Sequence, residues 1–441
     1  MSKRLGILFL RAVASIGLSL PVWLGMSATH VEAAPKYKIL YWFCQDDPQN
    51  CKDGQYPTTG LVEDSDGNIY GGVAAGGPAG GGGIYMVTPK GKQSLVYNFC
   101  SQSQCADGQY PRDLIMDNKG SIYGTTSSGG AHGQGVVFQL SPSKKGGWKY
   151  GVLYSFCSAA HCSDGSQPWA GLTYVGRQAG QLYDGSSPLY GVTTIGGASN
   201  KGAAFKLTFA AGKKKPKYQN IYDFCSQADC ADGTLPYYTL TTDSNGNVFG
   251  TAVNGQDGEG AGVLFELSPN GSLYQETILH TFCSETNCAD GSRPVGVVAD
   301  TSGTLFGVAG NGGIGGNAGL VYKIVPNGMS SQETVLYNFC TQDNCNDGGF
   351  PSTGVVIAPN GDLYGTTSYW GGELFQGSGL VYKLHGTTET VVHPFCTEPT
   401  CPDGSDPIAG LLLDSKGTLY GTTEVGGPSG NGGVLFRITK P

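Results

Sequence analysis

The 441-residue chain sets 26 Lys and Arg against 34 Asp and Glu, a formal net charge of −8, and 73 of its residues are glycine. Phosphate recognition needs a basic face, so nucleic acid is excluded as an expected partner, while cations and neutral polymers such as glycans stay open. The length exceeds a typical domain, yet the composition is even along the chain, which favours one repetitive domain over two or three unlike ones.

Lys3, Arg4 and Arg11 precede an apolar stretch from Ala12 to Met26, the pattern of an export signal. Val31-Glu32-Ala33 supplies small residues at both positions that a signal peptidase reads, so residues 1–33 are expected to be a signal peptide cut after Ala33. No stretch approaches the roughly 18 apolar residues of a membrane-spanning helix. The residue directly after the cut is Ala34 and not Cys, and the chain stops at Arg437-Ile-Thr-Lys-Pro441, so neither a lipid anchor nor a hydrophobic tail is expected. Without residues 1–33 the net charge becomes −10. All fourteen Cys lie beyond the cut, which for an exported protein points to disulfides and to the periplasm or the medium.

From there a Phe-Cys pair recurs at Phe43, Phe99, Phe156, Phe224, Phe282, Phe339 and Phe395, in steps of 56, 57, 68, 58, 57 and 56 residues. Insertions around Arg177 to Ser187 and Ala210 to Lys217 account for the long third step. Each unit predicts four strands. Strand A is the run Gly410-Leu-Leu-Leu-Asp414; a tight turn such as Asp64-Ser-Asp-Gly67 follows; strand B is Leu419-Tyr-Gly-Thr-Thr423. After a Gly-rich loop comes strand C, as in Val137-Phe-Gln-Leu140, and then strand D, as in Val335-Leu-Tyr-Asn-Phe339, before a Cys loop and Pro. The β-branched and aromatic residues suit a pleated surface, and Asp-Gly suits the hairpin turn.

Four antiparallel strands repeated seven times, at about 50 residues a unit, predict an all-β, seven-bladed β-propeller, because a solenoid coil would be shorter. The repeats begin near residues 37, 94, 151, 219, 277, 334 and 390 and the propeller covers 37–441. Its first strand, residues 37 to 43, is a D strand, and its last three, residues 408 to 438, are A, B and C. Closing the ring therefore puts the N-terminal strand on the open edge of the C-terminal blade.

The repeat Leu-Tyr-x-Phe-Cys, Asp-Gly-x-x-Pro, Gly-Leu-x-x-Asp, Leu-Tyr-Gly-Thr-Thr-x-x-Gly-Gly, Val-Phe-x-Leu resembles the GloVer tandem repeat of exported bacterial proteins. It is clearest at Tyr364-Gly-Thr-Thr367 and Tyr420-Gly-Thr-Thr423. Members of that family often carry a C-terminal sorting anchor, and this chain has none, which implies release instead of surface attachment. The resemblance implies no reaction, because the family is recognised by its repeat.

The Cys fall into seven close pairs: Cys44 with Cys51, Cys100 with Cys105, Cys157 with Cys162, Cys225 with Cys230, Cys283 with Cys288, Cys340 with Cys345, and Cys396 with Cys401. Each is expected to form a disulfide closing a small loop, worth roughly 2 kcal/mol. Zinc is the alternative, but each blade offers two thiols where a structural site needs four ligands. Asp53, Asp107, Asp164, Asp232, Asp290, Asp347 and Asp403 follow the pairs, each before a Gly. The plain reading is a carboxylate accepting backbone N–H groups in a turn whose Gly takes positive φ; calcium is the rival, though one carboxylate per loop is too few. No cofactor and no resident metal is expected.

In such a blade the D-to-A and B-to-C connections share one face, so the disulfide loops and the Gly-Gly loops form one rim. Aromatics expected there are Tyr56, Tyr110, Trp169, Tyr237, Phe350, Tyr369 and Trp370. Trp169, Tyr369 and Trp370 are the ligand-binding candidates, as platforms for sugar rings, against a plain reading of packing between blades. Tyr369-Trp370 sits in a loop lengthened by Glu373-Leu-Phe-Gln376. Gly129-Gly130 and its relatives open no helix and are not phosphate cradles. Lys144-Lys145 and Lys213-Lys-Lys215 fall in C-to-D connections on the opposite face. His132, His161, His280, His385 and His393 fall in no metal or nucleophile motif, and none is read as part of the repeat; His132 and His161 lie on the loop-rich rim. The leading expectation is a secreted, monomeric, non-catalytic propeller engaging a glycan, envelope component or protein through the disulfide rim. A polysaccharide lyase or hydrolase at the channel mouth, and a structural envelope protein, are the alternatives. An enzyme should break the sevenfold pattern with polar groups converging from two or three blades.

Overall fold

The computed structural model describes residues 34–441 apart from 47–48, 178–179, 214, 256–260, 272, 329–330, 372–377, 429 and 431. The expected signal segment, Lys214 and the 373–376 insertion therefore lie outside the described residues. The fold is a seven-bladed β-propeller of antiparallel sheets, five of which follow the order A-B-C-D from the inside outward, with the innermost strand altered in blades 3 and 4. In blade 7 the order is 412–413, 419–423, 434–439 and then 36–42, so the N-terminal strand completes the C-terminal blade. It runs from Lys36 opposite Thr439 to Trp42 opposite Val434. Blades 7 and 1 meet where the Thr422 hydroxyl donates to Pro57 O at 2.9 Å.

Two sequence signatures build the core. The Gly of Leu-Tyr-Gly-Thr-Thr lies opposite the aromatic of strand C, as Gly124 does opposite Phe138. A Cβ on Gly124 would stand 2.7 Å from the tip of the Phe138 ring, so only glycine leaves the seat the ring needs. The Phe of each Phe-Cys pair then reaches onto that ring in the next blade, as Phe99 does on Phe138 at 5.1 Å and Phe395 on Phe436 at 5.2 Å. These contacts are edge-on or tilted, the favoured geometry for paired rings. A one-residue bulge in every D strand, such as that between Ile84 and Tyr85 opposite Val96, re-aims the outer strand toward this joint.

The Asp-Gly loops are built as hubs. Asp107 is fully buried and accepts from Ser101 N at 3.0 Å, Ser101 Oγ at 2.7 Å, Gln102 N at 3.3 Å and the Tyr97 hydroxyl at 2.9 Å. The following Gly108 has φ +90°, which a side chain would resist. Tyr41, Tyr154, Tyr222 and Tyr337 clamp their own Asp in the same way. His280 and His393 take that place in the other two loops, 3.5 Å from Asp290 and 3.2 Å from Asp403. Two histidines therefore do belong to the repeat, contrary to the sequence reading, because imidazole can replace phenol as the Asp partner. Asp107→Ala strands four donors and is expected to lower the unfolding free energy by about 3 kcal/mol. An unchanged midpoint in denaturant would show that the hub contributes little.

The residue four places before each clamp comes from the next D strand and closes the joint between blades. Tyr150 stacks on Tyr97 at 4.2 Å, Tyr218 on Tyr154 at 4.3 Å and Tyr37 on His393 at 3.9 Å. In the three joints between these, the position is Glu276, Glu333 or Glu389.

All seven Cys pairs are disulfide-bonded as expected, Cys44 to Cys51, Cys100 to Cys105, Cys157 to Cys162, Cys225 to Cys230, Cys283 to Cys288, Cys340 to Cys345 and Cys396 to Cys401. The loops they close differ from the simple Asp-Gly turn of the sequence reading in two respects. Cys105, Cys162, Cys230, Cys288 and Cys345 each end a short 3-10 turn, such as Ser103–Cys105. Positive φ, expected only at the Gly, is also taken by both Cys of every pair, with Cys51, Cys105, Cys162, Cys230, Cys288, Cys345 and Cys401 between 45° and 55°. So small a ring closes only where the chain reverses at both of its ends, and that left-handed geometry is uncommon for a residue with a side chain.

Among the described residues six of the disulfide loops touch the Gly-Gly loop beside them, as Gly77 N donates to Cys51 O. At the other face Gly67 of an A-to-B turn lies beside Pro89 of a C-to-D turn. The two rims are therefore as the topology predicts. Strands depart most in blades 3 and 4. The innermost strand of blade 3 is a single bridge, Thr173 to Tyr190, and that of blade 4 is split in two. The blade 3 insertion folds back onto blade 2, where Tyr183 N donates to Met116 O.

Candidate binding site at the channel mouth

The Pro of Asp-Gly-x-x-Pro stands where the chain enters the inner part of each blade, and in six of the seven the residue after it faces the ring axis. The preceding residue is held left-handed, as in Tyr56, Tyr110, Phe350 and Asp406. Its N–H is spent on the neighbouring blade's Gly loop: Tyr56 N donates to Gly432 O and Phe350 N to Ala318 O. Thr58, Arg112, Trp169, Tyr237, Ser352 and Ile408 hold the place after the Pro and line a cavity of about 780 Å³ that draws on all seven blades and is the central channel; the seventh, Val295, is buried in the core with Phe339 and Val355 instead. That volume falls within the roughly 300–1,000 Å³ of small-molecule sites.

This ring does not repeat. Blades 2, 3 and 4 present a ladder: the Arg112 guanidinium lies 3.7 Å over the Trp169 ring, Trp169 stacks on Tyr237 at 5.3 Å, and Tyr237 meets Tyr238 edge-on at 5.4 Å. Burial disfavours the Arg112 charge while Tyr237 and Asp113 support it. Blade 7 brings one carboxyl, Glu424, to the wall, with Asp406 beside it. Burial, with Glu424 adding to it, pushes Asp406 up to about 6, and burial also raises Glu424, which lines the cavity. No other blade has an acid at the Glu424 position; Ala74, Ser127 and Ser368 stand there in blades 1, 2 and 6.

Below the ladder the channel narrows at glycines, among them Gly60, Gly171, Gly296 and Gly354. Asp113 crosses this waist. Its Oδ1 accepts Gly60 N at 2.6 Å and its Oδ2 accepts the Thr239 hydroxyl at 2.9 Å, while Thr239 Oγ1 takes Gly171 N at 3.0 Å. A Cβ on Gly171 would come within 2.4 Å of Asp113 Cβ, so glycine there admits the carboxylate that ties blades 1, 2 and 4.

The sequence-predicted aromatics thus divide. Trp169 and Tyr237 lie in the channel wall. Tyr369 is half exposed on the rim, and Trp370 packs on Phe350 at 5.0 Å and over Gly349. The disulfides stay on the rim as well, and no Cys is part of the cavity wall. Sequence reasoning missed Arg112, Asp113, Asp406 and Glu424. For Arg112 the available signal is the column after each Pro, where Arg, Trp and Tyr interrupt small or apolar residues.

Similarity to solved structures is one of fold. A protein assigned as a gluconolactonase matches over 92% of each chain at 11% identity and TM-score 0.41. An oxidoreductase assigned as a glucose dehydrogenase, from Thermus thermophilus, matches 92% of this chain and 100% of its own, at 12% and 0.42. Puromycin hydrolase matches 87% of this chain and 52% of its own, at 10% and 0.50. No curated protein matches significantly in sequence. The model of the Gloeobacter/Verrucomicrobia repeat matches residues 34–188 and 260–441, most of the chain and its recurring strands, and the protein belongs to that repeat family.

Proposed function

We propose that the protein is an exported binding propeller that seats a glycan in the mouth of its central channel, on the disulfide-loop face. The observation that carries this reading is the broken symmetry of the channel wall, where the Arg112–Trp169–Tyr237 ladder and the Glu424 carboxyl share the lining of a 780 Å³ cavity. A multivalent rim binder would repeat its contacts seven times. Both faces of Trp169 are covered, by Arg112 and by Tyr237, so a sugar meets the ladder along its edges and finds hydroxyl partners in Thr58 and Ser352. Export is supported by seven disulfides, which persist in oxidising compartments. Among the described residues no helix is long and apolar enough to cross a membrane.

Calorimetric titration of an oligosaccharide panel tests the reading. Trp169→Ala and Tyr237→Ala are each expected to weaken binding about tenfold, while Trp370→Ala on the rim leaves it within twofold. The reverse pattern moves the site to Tyr369 and Trp370, and a panel without any binder leaves the structural envelope role.

The Asp406–Glu424 pair favours a second reading, a polysaccharide hydrolase or lyase, since paired acids with displaced titrations suit acid–base work. The same titrations, followed for new reducing ends, separate the two: turnover abolished by Glu424→Gln with binding intact establishes the enzyme.

A further inference from the structure

Resting on the channel-mouth reading, we infer that the glycan is acidic and that a sugar carboxylate docks on Arg112, making a hexuronate the ligand unit. Arg112 and Arg177 are the cations of the cavity wall. Arg177 bends back on its own blade, where its Nη1 donates to Leu172 O at 2.6 Å. Arg112 stands in the ladder itself, over the Trp169 ring. Among the described residues no carboxylate lies within 4.0 Å of its guanidinium. The adjacent Asp113 is turned away to Gly60 and Thr239. Of the five guanidinium N–H groups, one reaches Ser127 Oγ at 3.2 Å, and the Nε is left without a hydrogen-bond partner.

Burial disfavours the Arg112 charge more than Asp113 supports it without touching it, and a ligand anion in direct contact lowers that cost. The form of the site selects which anion. Stacking on Trp169 fixes the guanidinium plane, so its remaining donors project in that plane as a fork, the arrangement that meets a planar carboxylate with two parallel bonds. Lys in this place would offer a point charge without the fork. The blade 7 wall sets the polarity of the ligand: Glu424 repels a carboxylate there, so the acidic group lies toward blades 2 to 4 and the neutral hydroxyls toward blade 7. The chain's net negative charge does not oppose this at close range, since charges beyond about 8 Å are screened at physiological salt.

The test compares oligogalacturonate and oligoglucuronate with their methyl esters, which keep ring and hydroxyls and lose only the charge, by calorimetry on the oxidised full chain. A free acid binding about tenfold or more tighter than its ester is expected, with the preference lost in Arg112→Gln and only partly kept in Arg112→Lys. Because the acid–ester comparison is made on the unaltered protein, the inference stands or falls even if Arg112→Gln does not fold. Equal affinity for acid and ester overturns it while leaving a channel glycan site in place. A sulfated neutral oligosaccharide that binds where the uronates do not also overturns it. Failure of acids, esters and sulfated forms alike sinks both this inference and the channel-mouth reading.

Discussion

A chain truncated to begin at residue 44 is expected to lose more than about 5 kcal/mol of stability, a large share of what holds a domain folded. The missing strand is bound on three sides. It pairs along blade 7 from Lys36 to Trp42, and Phe43 N donates to Gly433 O at 2.9 Å. Phe43 is fully buried against Tyr85 of blade 1 at 4.8 Å, and Tyr41 packs in the same cluster with Leu61 and Leu435. Tyr37 reaches blade 6, where its hydroxyl donates to Asp403 O at 2.6 Å. Loss of Phe43 alone is worth about 3–5 kcal/mol, by the usual cost of a deleted core ring. The bared edge at residues 434–439 is then free to pair with another chain, so aggregation is expected beside instability. Truncation after residue 33 should leave the melting temperature unchanged, and a synthetic peptide of residues 36–43 should restore the shorter form in trans. A truncated ring that melts with the full chain would mean that the N-terminal strand does not close it.

The phasing behind that prediction was legible because each strand has its own residue signature, so a D strand at the start and A, B and C at the end could be read without coordinates. The disulfides were legible for the same reason, each Cys pair being local. Their left-handed backbone was not, because positive φ is read from Gly, Asn and Asp, and ring closure imposes it on Cys instead. The channel also escaped. Loop topology assigns a residue to a face of the ring but not to a distance from its axis, and Trp169 and Tyr237 were therefore placed on the rim with Trp370. What marks the radius is the place just after the Pro of each Asp-Gly-x-x-Pro, which lines the channel in six of the seven blades. The histidine clamps were missed because the hub, defined by the buried Asp, accepts phenol and imidazole alike and so hides His280 and His393 among tyrosines. The short inner strands of blades 3 and 4 escaped because β-propensity does not register a lost ladder hydrogen bond.

The joints also predict a dependence on pH. Burial pushes Glu276 up to about 8, with Asp232 adding to it against the Tyr222 hydrogen bond. Burial and Asp290 push Glu333 up to about 8, and burial and Asp347 push Glu389 up to about 7. In each carboxyl Oε1 has no hydrogen-bond partner. All three folded values lie above the ordinary 4.5, so the fold favours the protonated acid. Their stabilisation is fully present below the ordinary value and is lost as pH rises through 7 to 8. His280, lowered by burial, has the opposite sign: its contribution is present above its ordinary value of 6.5 and lost as pH falls. The acidic side is therefore mixed, and the window from pH 6.5 to 9 isolates the glutamates. With allowance for the solvent that still reaches them, each is expected to cost roughly 1–2 kcal/mol across that window. Denaturant unfolding at pH 6.5, 8 and 9 measures it. The triple variant Glu276→Gln, Glu333→Gln, Glu389→Gln keeps the side-chain shape without the charge and should be nearly flat. Stability that rises from pH 6.5 to 9 in the parent protein would mean that these carboxyls are ionised and compensated in the joints, and that the seven blades are not held together by neutral acids where three tyrosines are missing.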